Sequence, residues 1–242
     1  MTTDVLQLVR ISRGVRDPEH TAEFYGRLLD LVPERVADGL LLSCANGELI
    51  FHNDVSIPVA FELNSSKASF EGQDPDGVPV AAASGLPSES VTCAVMLDHV
   101  RLNCADLPEA IRFYRELGFA LTWSGFGGSF VDGAQDEPIP GATWAHLSGS
   151  DGYLSLSQAD WQDYGTHSTA SGPPRFIHIG LAVEDMARIA TNLDDIGISY
   201  DRSQSPLGER MYLNDTDGIL SLGMNVELNQ YEPGVPRSGR WP

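Results

Sequence analysis

Residues 97–119, LDHVRLNCADLPEAIRFYRELGF, read as a strand, a capped helix and a glycine stop. His99, Arg101 and Asn103 alternate with Val100, Leu102 and Cys104, the period of two that gives a strand one polar and one apolar face. Asp106 stands at an N-cap position, Ile111, Tyr114 and Leu117 follow at helical spacing, and Gly118 supplies the left-handed residue that ends a helix. Any chemistry in this unit belongs to the polar face of its strand.

The unit recurs. In FIHIGLAVEDMARIATNLDDIGI, residues 176–198, His178 aligns with His99, and each histidine precedes a capping aspartate, Asp185 or Asp106, by the same offset. Gly197 and Gly118 also lie equally far beyond their histidines. A third copy occupies residues 8–31, with Arg10 at the histidine position, Asp17 as the cap, and Phe24 and Tyr25 matching Phe113 and Tyr114. Repetition at this scale points to modular architecture. We expect an α+β fold built of repeated βαβββ modules: residues 1–66 as an N-terminal module, 67–95 as a linker rich in Gly, Pro, Ser and Asp, 96–232 as two paired modules, and 233–242 as a tail. Within the linker, PVAAA and SVTCAV each have the composition of a short strand. The last strand of the first module is read as VAFELN, residues 59–64. The stretch 126–141, carrying Phe126 and Phe130, reads as a long loop, either a lid over a site or a disordered insertion.

Composition narrows the partners. At 242 residues and 42% apolar content the chain is long enough for real cores. A formal charge of −19, with Lys67 the only lysine, excludes nucleic acid as a natural partner, because phosphate binding needs clustered cations. No stretch approaches the length of a membrane-spanning apolar segment, and MTTDVLQLVR lacks the basic and apolar regions of a signal peptide, so we expect no membrane partner and a cytoplasmic location. Cys44, Cys93 and Cys104 are odd in number and lack ligand spacing, as buried thiols in a reducing compartment would.

The repeated units, with histidine on a first strand and glutamate on a last strand, resemble the vicinal oxygen chelate superfamily of glyoxalases, epimerases, extradiol dioxygenases and antibiotic resistance proteins. The resemblance implies that two modules pair into a metal-binding cup. Carried over by position, the metal ligands are His99, His178 and Glu227. On NVELN, residues 225–229, Glu227 alternates with Val226 and Leu228 and falls on the polar face. Such a set suits a divalent metal, with Fe(II) favoured and Mn, Ni or Zn as alternatives.

Aligning YLSLSQ with NVELNQ places Ser155 opposite Glu227, where the lyases and isomerases of the superfamily carry a fourth ligand. A dioxygenase-like enzyme acting on a small catechol- or enol-like substrate is therefore expected first, a glyoxalase- or epimerase-like lyase or isomerase second, and a metal-free resistance-type binding protein third. For the enzyme, the resemblance implies Tyr212 as a hydrogen-bonding residue, within MYLNDTDG where Thr216 replaces a proline. His146 is the candidate proton shuttle, with Arg101 and Asn103 orienting the substrate. In the binding-protein reading Trp123, Phe126, Trp144, Tyr153 and Tyr212 line the pocket. Arg10 and Glu62 stand where the first module would hold metal, so a salt bridge is expected there. An unpaired module exposes a sheet edge, to be covered either by a homodimer partner or by strands from 67–95.

Overall fold

The computed structural model describes residues 6–66, 69–85, 93–126, 129–132, 137–150, 152–158, 176–205, 208–213 and 225–233. The first module runs β1 (Leu6–Gly14), α1 (Pro18–Leu29), β2 (Pro33–Val36), β3 (Gly39–Cys44) and β4 (Gly47–His52). Three strands without a helix follow: β5 (Ala60–Ser65), β6 (Phe70–Gln73) and β7 (Pro79–Ala83). The second module comprises β8 (Val95–Cys104), α2 (Leu107–Leu117), β9 (Ala120–Phe126), β10 (Ser129–Asp132), β11 (Trp144–Ser148) and β12 (Tyr153–Gln158). The third comprises β13 (Phe176–Val183), α3 (Met186–Asp195), β14 (Tyr200–Ser205), β15 (Gly208–Leu213) and β16 (Asn225–Tyr231).

Each helix begins where its aspartate demands. Asp17, Asp106 and Asp185 accept the backbone N–H of His20, Glu109 and Arg188, each at 2.9 Å, satisfying donors that have no partner inside the helix. Gly118 takes the left-handed conformation at φ 115° after α2. In the first module Asp30 does so at φ 61°, one of the few side chains that tolerate it.

The strands form two mixed sheets, ordered β2-β3-β4-β1-β5-β7-β6 and β10-β9-β11-β12-β8-β13-β16-β15-β14. In each full module the last strand lies parallel to the first: β4 beside β1, β12 beside β8, β16 beside β13. This corrects the reading of VAFELN. Strand β5 is antiparallel to β1 and parallel to β7, so it opens a second, helix-less half instead of closing the first module. Glu62 is accordingly not the counterpart of Glu227; the corresponding strand is β4, where Glu48 pairs with Arg10. The expected ion pair does form, and Glu48 joins it: Arg10 Nη1 donates to both oxygens of Glu62 at 2.9 and 3.0 Å, and Nε to Glu48 at 2.9 Å.

The stretch 67–95 is likewise more than a linker, because PVAAA is β7 and FEGQ is β6, and with β5 they cover the edge of β1 from within the chain. The argument for a homodimer built on that edge lapses. Helix α2 takes the place of the helix this half lacks. Tyr114 stacks on Phe61 with ring centres 6.1 Å apart, and its hydroxyl donates to Asp74 Oδ2 at 2.7 Å. Phe113 meets Phe70 edge-on at 5.3 Å, and Ser65 Oγ donates to the Leu117 carbonyl at 3.1 Å. The same helix packs on β9, β11 and β12 of the larger sheet, while α1 and α3 lie against each other, so one hydrophobic core runs through both sheets.

Within 126–141, residues 129–132 continue as a hairpin strand against β9, and Phe126 is 48% exposed at its start. The side chain of Phe130, the turn bearing Thr216 and the tail from 234 lie outside the described residues. Cys44, Cys93 and Cys104 are free thiols, the first and last buried. Among the described residues no helix is long and apolar enough to cross a membrane.

Candidate metal centre

The larger sheet turns Val100, Leu102, Leu154, Leu156, Ile179, Leu181, Val226 and Leu228 toward the helices, each 1% exposed or less. Its opposite face is the cup. Register places the residues there: on β8 His99 pairs with Tyr153 and Gly180, and Arg101 with Ser155 and His178. On β16 Glu227 pairs with Gly180 and with Tyr212.

The three proposed ligands meet at the middle of this face. His99 Nε2 lies 2.9 Å from His178 Nε2 and 3.6 Å from Glu227 Oε2, and His178 Nε2 lies 3.0 Å from the same oxygen. Ligands at right angles on a metal about 2.1 Å away sit about 3.0 Å from one another, so the donor set and its spacing fit a divalent cation bound on three adjacent positions. All three side chains are buried.

A β-bulge makes this possible. Leu97 pairs with Leu181 and His99 with Gly180, which leaves Asp98 as an extra residue. Leu97 stays in the core while Asp98 and His99 both turn into the cup. The register slips at the same place in the other modules, between Leu8 and Arg10 and between Phe176 and His178. Asp98 Oδ2 sits 2.9 Å from His99 Nδ1, and the carboxylate accepts the Tyr231 hydroxyl at 2.8 Å and Asn229 Nδ2 at 3.2 Å. Gly180 provides the remaining space, since a Cβ there would collide with the His99 ring. Tyr153 stacks on the other side of that ring at 4.5 Å.

Burial opposes charge on His99, but Glu227 and Asp98 outweigh it and raise the pKa to about 9. For His178 burial prevails, aided by the charges of His99 and Arg101, and the pKa falls to about 4. Glu227 is held well below the usual carboxylate range because the two histidines overcome its burial. The buried carboxylates thus favour positive charge at this cluster.

The other candidates fall at graded distances. The Tyr212 ring lies 6.0 Å from that of His178, and burial together with Glu227 pushes its hydroxyl pKa up. Arg101 is half-buried and donates from Nη2 to Ser157 Oγ at 3.1 Å; Asn103 pairs with Ser157 one step further along. His146 and Trp144 lie on β11, two strands from β8, with ring centres 5.3 Å apart, and His146 approaches Tyr153 at 5.1 Å. Trp123, buried on β9, is a further strand away and pairs with His146. Burial, then the charges of His99, Arg101 and Arg210, hold His146 neutral with a pKa of about 3. The alignment of Ser155 with Glu227 holds in the register: each pairs with the residue two beyond its module's histidine, Arg101 or Gly180.

Sequence reasoning did not find Asp98, Gly180, Tyr231 or Arg210. Tyr231 shares the strand parity of Glu227, and that was the available signal.

Residues 96–221 match the family model described as the Glyoxalase/Bleomycin resistance protein/Dioxygenase superfamily. The chain belongs to this superfamily. Within it, the fold is similar to that of the 2,3-dioxygenase LapB from Pseudomonas sp. KL28, with a TM-score of 0.66 at 14% identity over 95% of this chain and 93% of that one. A catechol 2,3-dioxygenase superimposes with a TM-score of 0.65 at 13% identity over 99% and 97%. Homoprotocatechuate 2,3-dioxygenase from Brevibacterium fuscum, solved with 3,4-dihydroxyphenylacetate, gives 0.62 at 16% identity over 98% and 85%. Among curated proteins none matches the chain. These structures share its overall fold, since the superpositions extend over nearly its whole length.

Proposed function

We propose that this chain is a metal-dependent, dioxygenase-like enzyme of the superfamily acting on a small molecule with two adjacent oxygens, a catechol or an enol. The observation that carries the reading is the ligand count: His99, His178 and Glu227 converge, and the register position corresponding to Glu227 in the second module holds Ser155, which cannot supply a fourth carboxylate. Three protein ligands leave positions open for a chelating substrate. The superposition with two ring-cleaving dioxygenases supports the same choice over a lyase or isomerase.

His99, His178 and Glu227 would hold the metal, for which we assign iron(II) before manganese, nickel or zinc, and bound there it supplies a Lewis acid that stabilises developing negative charge on substrate oxygens. The chain's residues prepare the place. Asp98 accepts from the Nδ1–H of His99 and so turns Nε2 toward the site. Tyr212 stands beside Glu227 with a hydroxyl that stays protonated, a donor for a substrate oxygen. His146, close to Tyr153, is the proton shuttle of this reading. The aromatic wall of Trp144 and Tyr153 flanks the space in which a planar ring would lie.

The test is anaerobic loading with iron(II), followed by oxygen uptake with a panel of catechols. One equivalent of iron and oxygen consumption with at least one catechol are expected, and His178→Ala should abolish both. Full metal stoichiometry with no oxygen uptake on any catechol or enol would overturn the dioxygenase reading. Retention of one equivalent by a His99→Ala, His178→Ala double variant would overturn the ligand assignment.

A further inference from the structure

A carboxylate can hold a divalent cation through one oxygen or through both. The two oxygens of Glu227 face different neighbours. Oε2 lies 3.0 Å from His178 Nε2 and 3.6 Å from His99 Nε2, so it is the oxygen that closes the triad. Oε1 is turned the other way, toward Arg210 Nε at 3.6 Å.

Register brings the arginine there. Tyr212 on β15 pairs with Glu227, and Arg210, two residues earlier on the same face, pairs with Asn229. Glu227 is therefore the diagonal neighbour of Arg210, within reach of a long side chain. The Arg210 side chain is 28% exposed, yet its Nε is buried and has no hydrogen-bond partner among the described residues. Its distance to Oε1 is that of an ion pair and longer than a hydrogen bond. Burial opposes charge on Arg210, but Glu227, ahead of the phenols of Tyr153, Tyr212 and Tyr231, outweighs it and raises the pKa above its ordinary value. A buried donor without a partner calls for a reason, and this one is aimed at the oxygen of a metal ligand that the histidines leave over.

Given His99, His178 and Glu227 as the metal ligands, the assignment on which this rests, we infer that Arg210 is a positioning residue that holds Oε1 of Glu227 away from the metal, so that Glu227 serves as a ligand through Oε2 alone. A cation beside Oε1 draws on the charge that this oxygen could offer, and swinging it toward a second cation would break the ion pair. With Glu227 kept to one oxygen, three protein atoms leave an octahedral ion three positions: two for the adjacent oxygens of a chelating substrate and one for a further small ligand. A Glu227 engaged through both oxygens would close the last of these.

Manganese(II) bound to the full chain reports the open positions, because each exchangeable water on the ion adds to the relaxation of solvent protons. Arg210→Met, and Arg210→Gln as a neutral replacement that keeps a polar group in the buried place, should each lower the relaxivity per bound manganese by about a third, the share of one open position in three. Both should bind manganese at least as tightly as the parent, since a repelling charge is lost and a ligand atom gained. Arg210→Lys, which keeps the cation, should stay near the parent relaxivity, a rescue that a packing role would not give. Parent relaxivity in the neutral variants would overturn the inference. So would a manganese affinity lowered about ten- to hundred-fold, the loss expected where an outer side chain simply supports a ligand. A parent chain that takes up no manganese would overturn the ligand assignment along with it. No substrate enters the measurement, so its result stands apart from the oxygen uptake that tests the reaction.

Discussion

Asp98 decides which nitrogen His99 presents. A carboxylate on Nδ1 fixes the proton there and leaves Nε2 for the site, and Tyr231 and Asn229 hold that carboxylate in turn. Asp98→Asn should weaken divalent metal binding about ten- to hundred-fold, measured by competition with a chromophoric chelator, and Tyr231→Phe should weaken it less. Wild-type affinity in Asp98→Asn would remove Asp98 from the assignment. His99, His178 and Glu227 were named through the family resemblance, which a repeat offset and a strand period supported. Asp98 was not, because strict alternation sends adjacent residues to opposite faces and a bulge breaks that rule at one residue. The trace it left is Leu97, a core residue two positions from His99 and on the wrong phase for the face that His99 occupies. Arg210 left no trace, since a single arginine on a polar strand face reads as ordinary surface.

The elements themselves were largely readable from caps and periods: three aspartates begin three helices, and the strands of the repeats fall where alternation puts them. What alternation cannot show is direction. VAFELN alternates equally well parallel or antiparallel to β1, and only pairing reveals that it opens a new half. Strands β2 and β10 escaped notice because each has four residues, β2 with charged residues at its centre and β10 inside a Gly/Pro-rich stretch. The junction of α2 with the helix-less half includes one buried hydroxyl, that of Tyr114. Burial pushes the Asp74 carboxyl pKa up, and the hydrogen bond from Tyr114 works against that shift. Tyr114→Phe would leave Asp74 Oδ2 without this donor at a cost of about 1–3 kcal/mol. Urea unfolding should report the loss as a lower midpoint with an unchanged slope, and an unchanged midpoint would show that water replaces the hydroxyl.

At the scale of the molecule, one core joins a sheet that bears the site to a sheet in which the Arg10 ion pairs occupy the corresponding place. A ligand that binds only the folded cup stabilises everything that unfolds with it. Zinc or cobalt at the triad should therefore protect the buried thiol of Cys44, in the metal-free sheet, from labelling under mild urea to the same degree as it raises the midpoint seen by tryptophan fluorescence. Protection of the tryptophan signal alone would mean that the sheets unfold separately.

The loan of α2 to the helix-less half also sets a timetable for synthesis. Strands β5 to β7 are complete at residue 83, yet Phe61 and Phe70 wait for Tyr114 and Phe113 to cover them. At about 5–20 residues per second the ribosome needs a few seconds to supply that stretch. A pause in translation that delays the emergence of α2 from the ribosome would prolong the exposure of an apolar sheet face on the nascent chain, whereas the same pause after Leu117 has emerged would fall when its cover is in place.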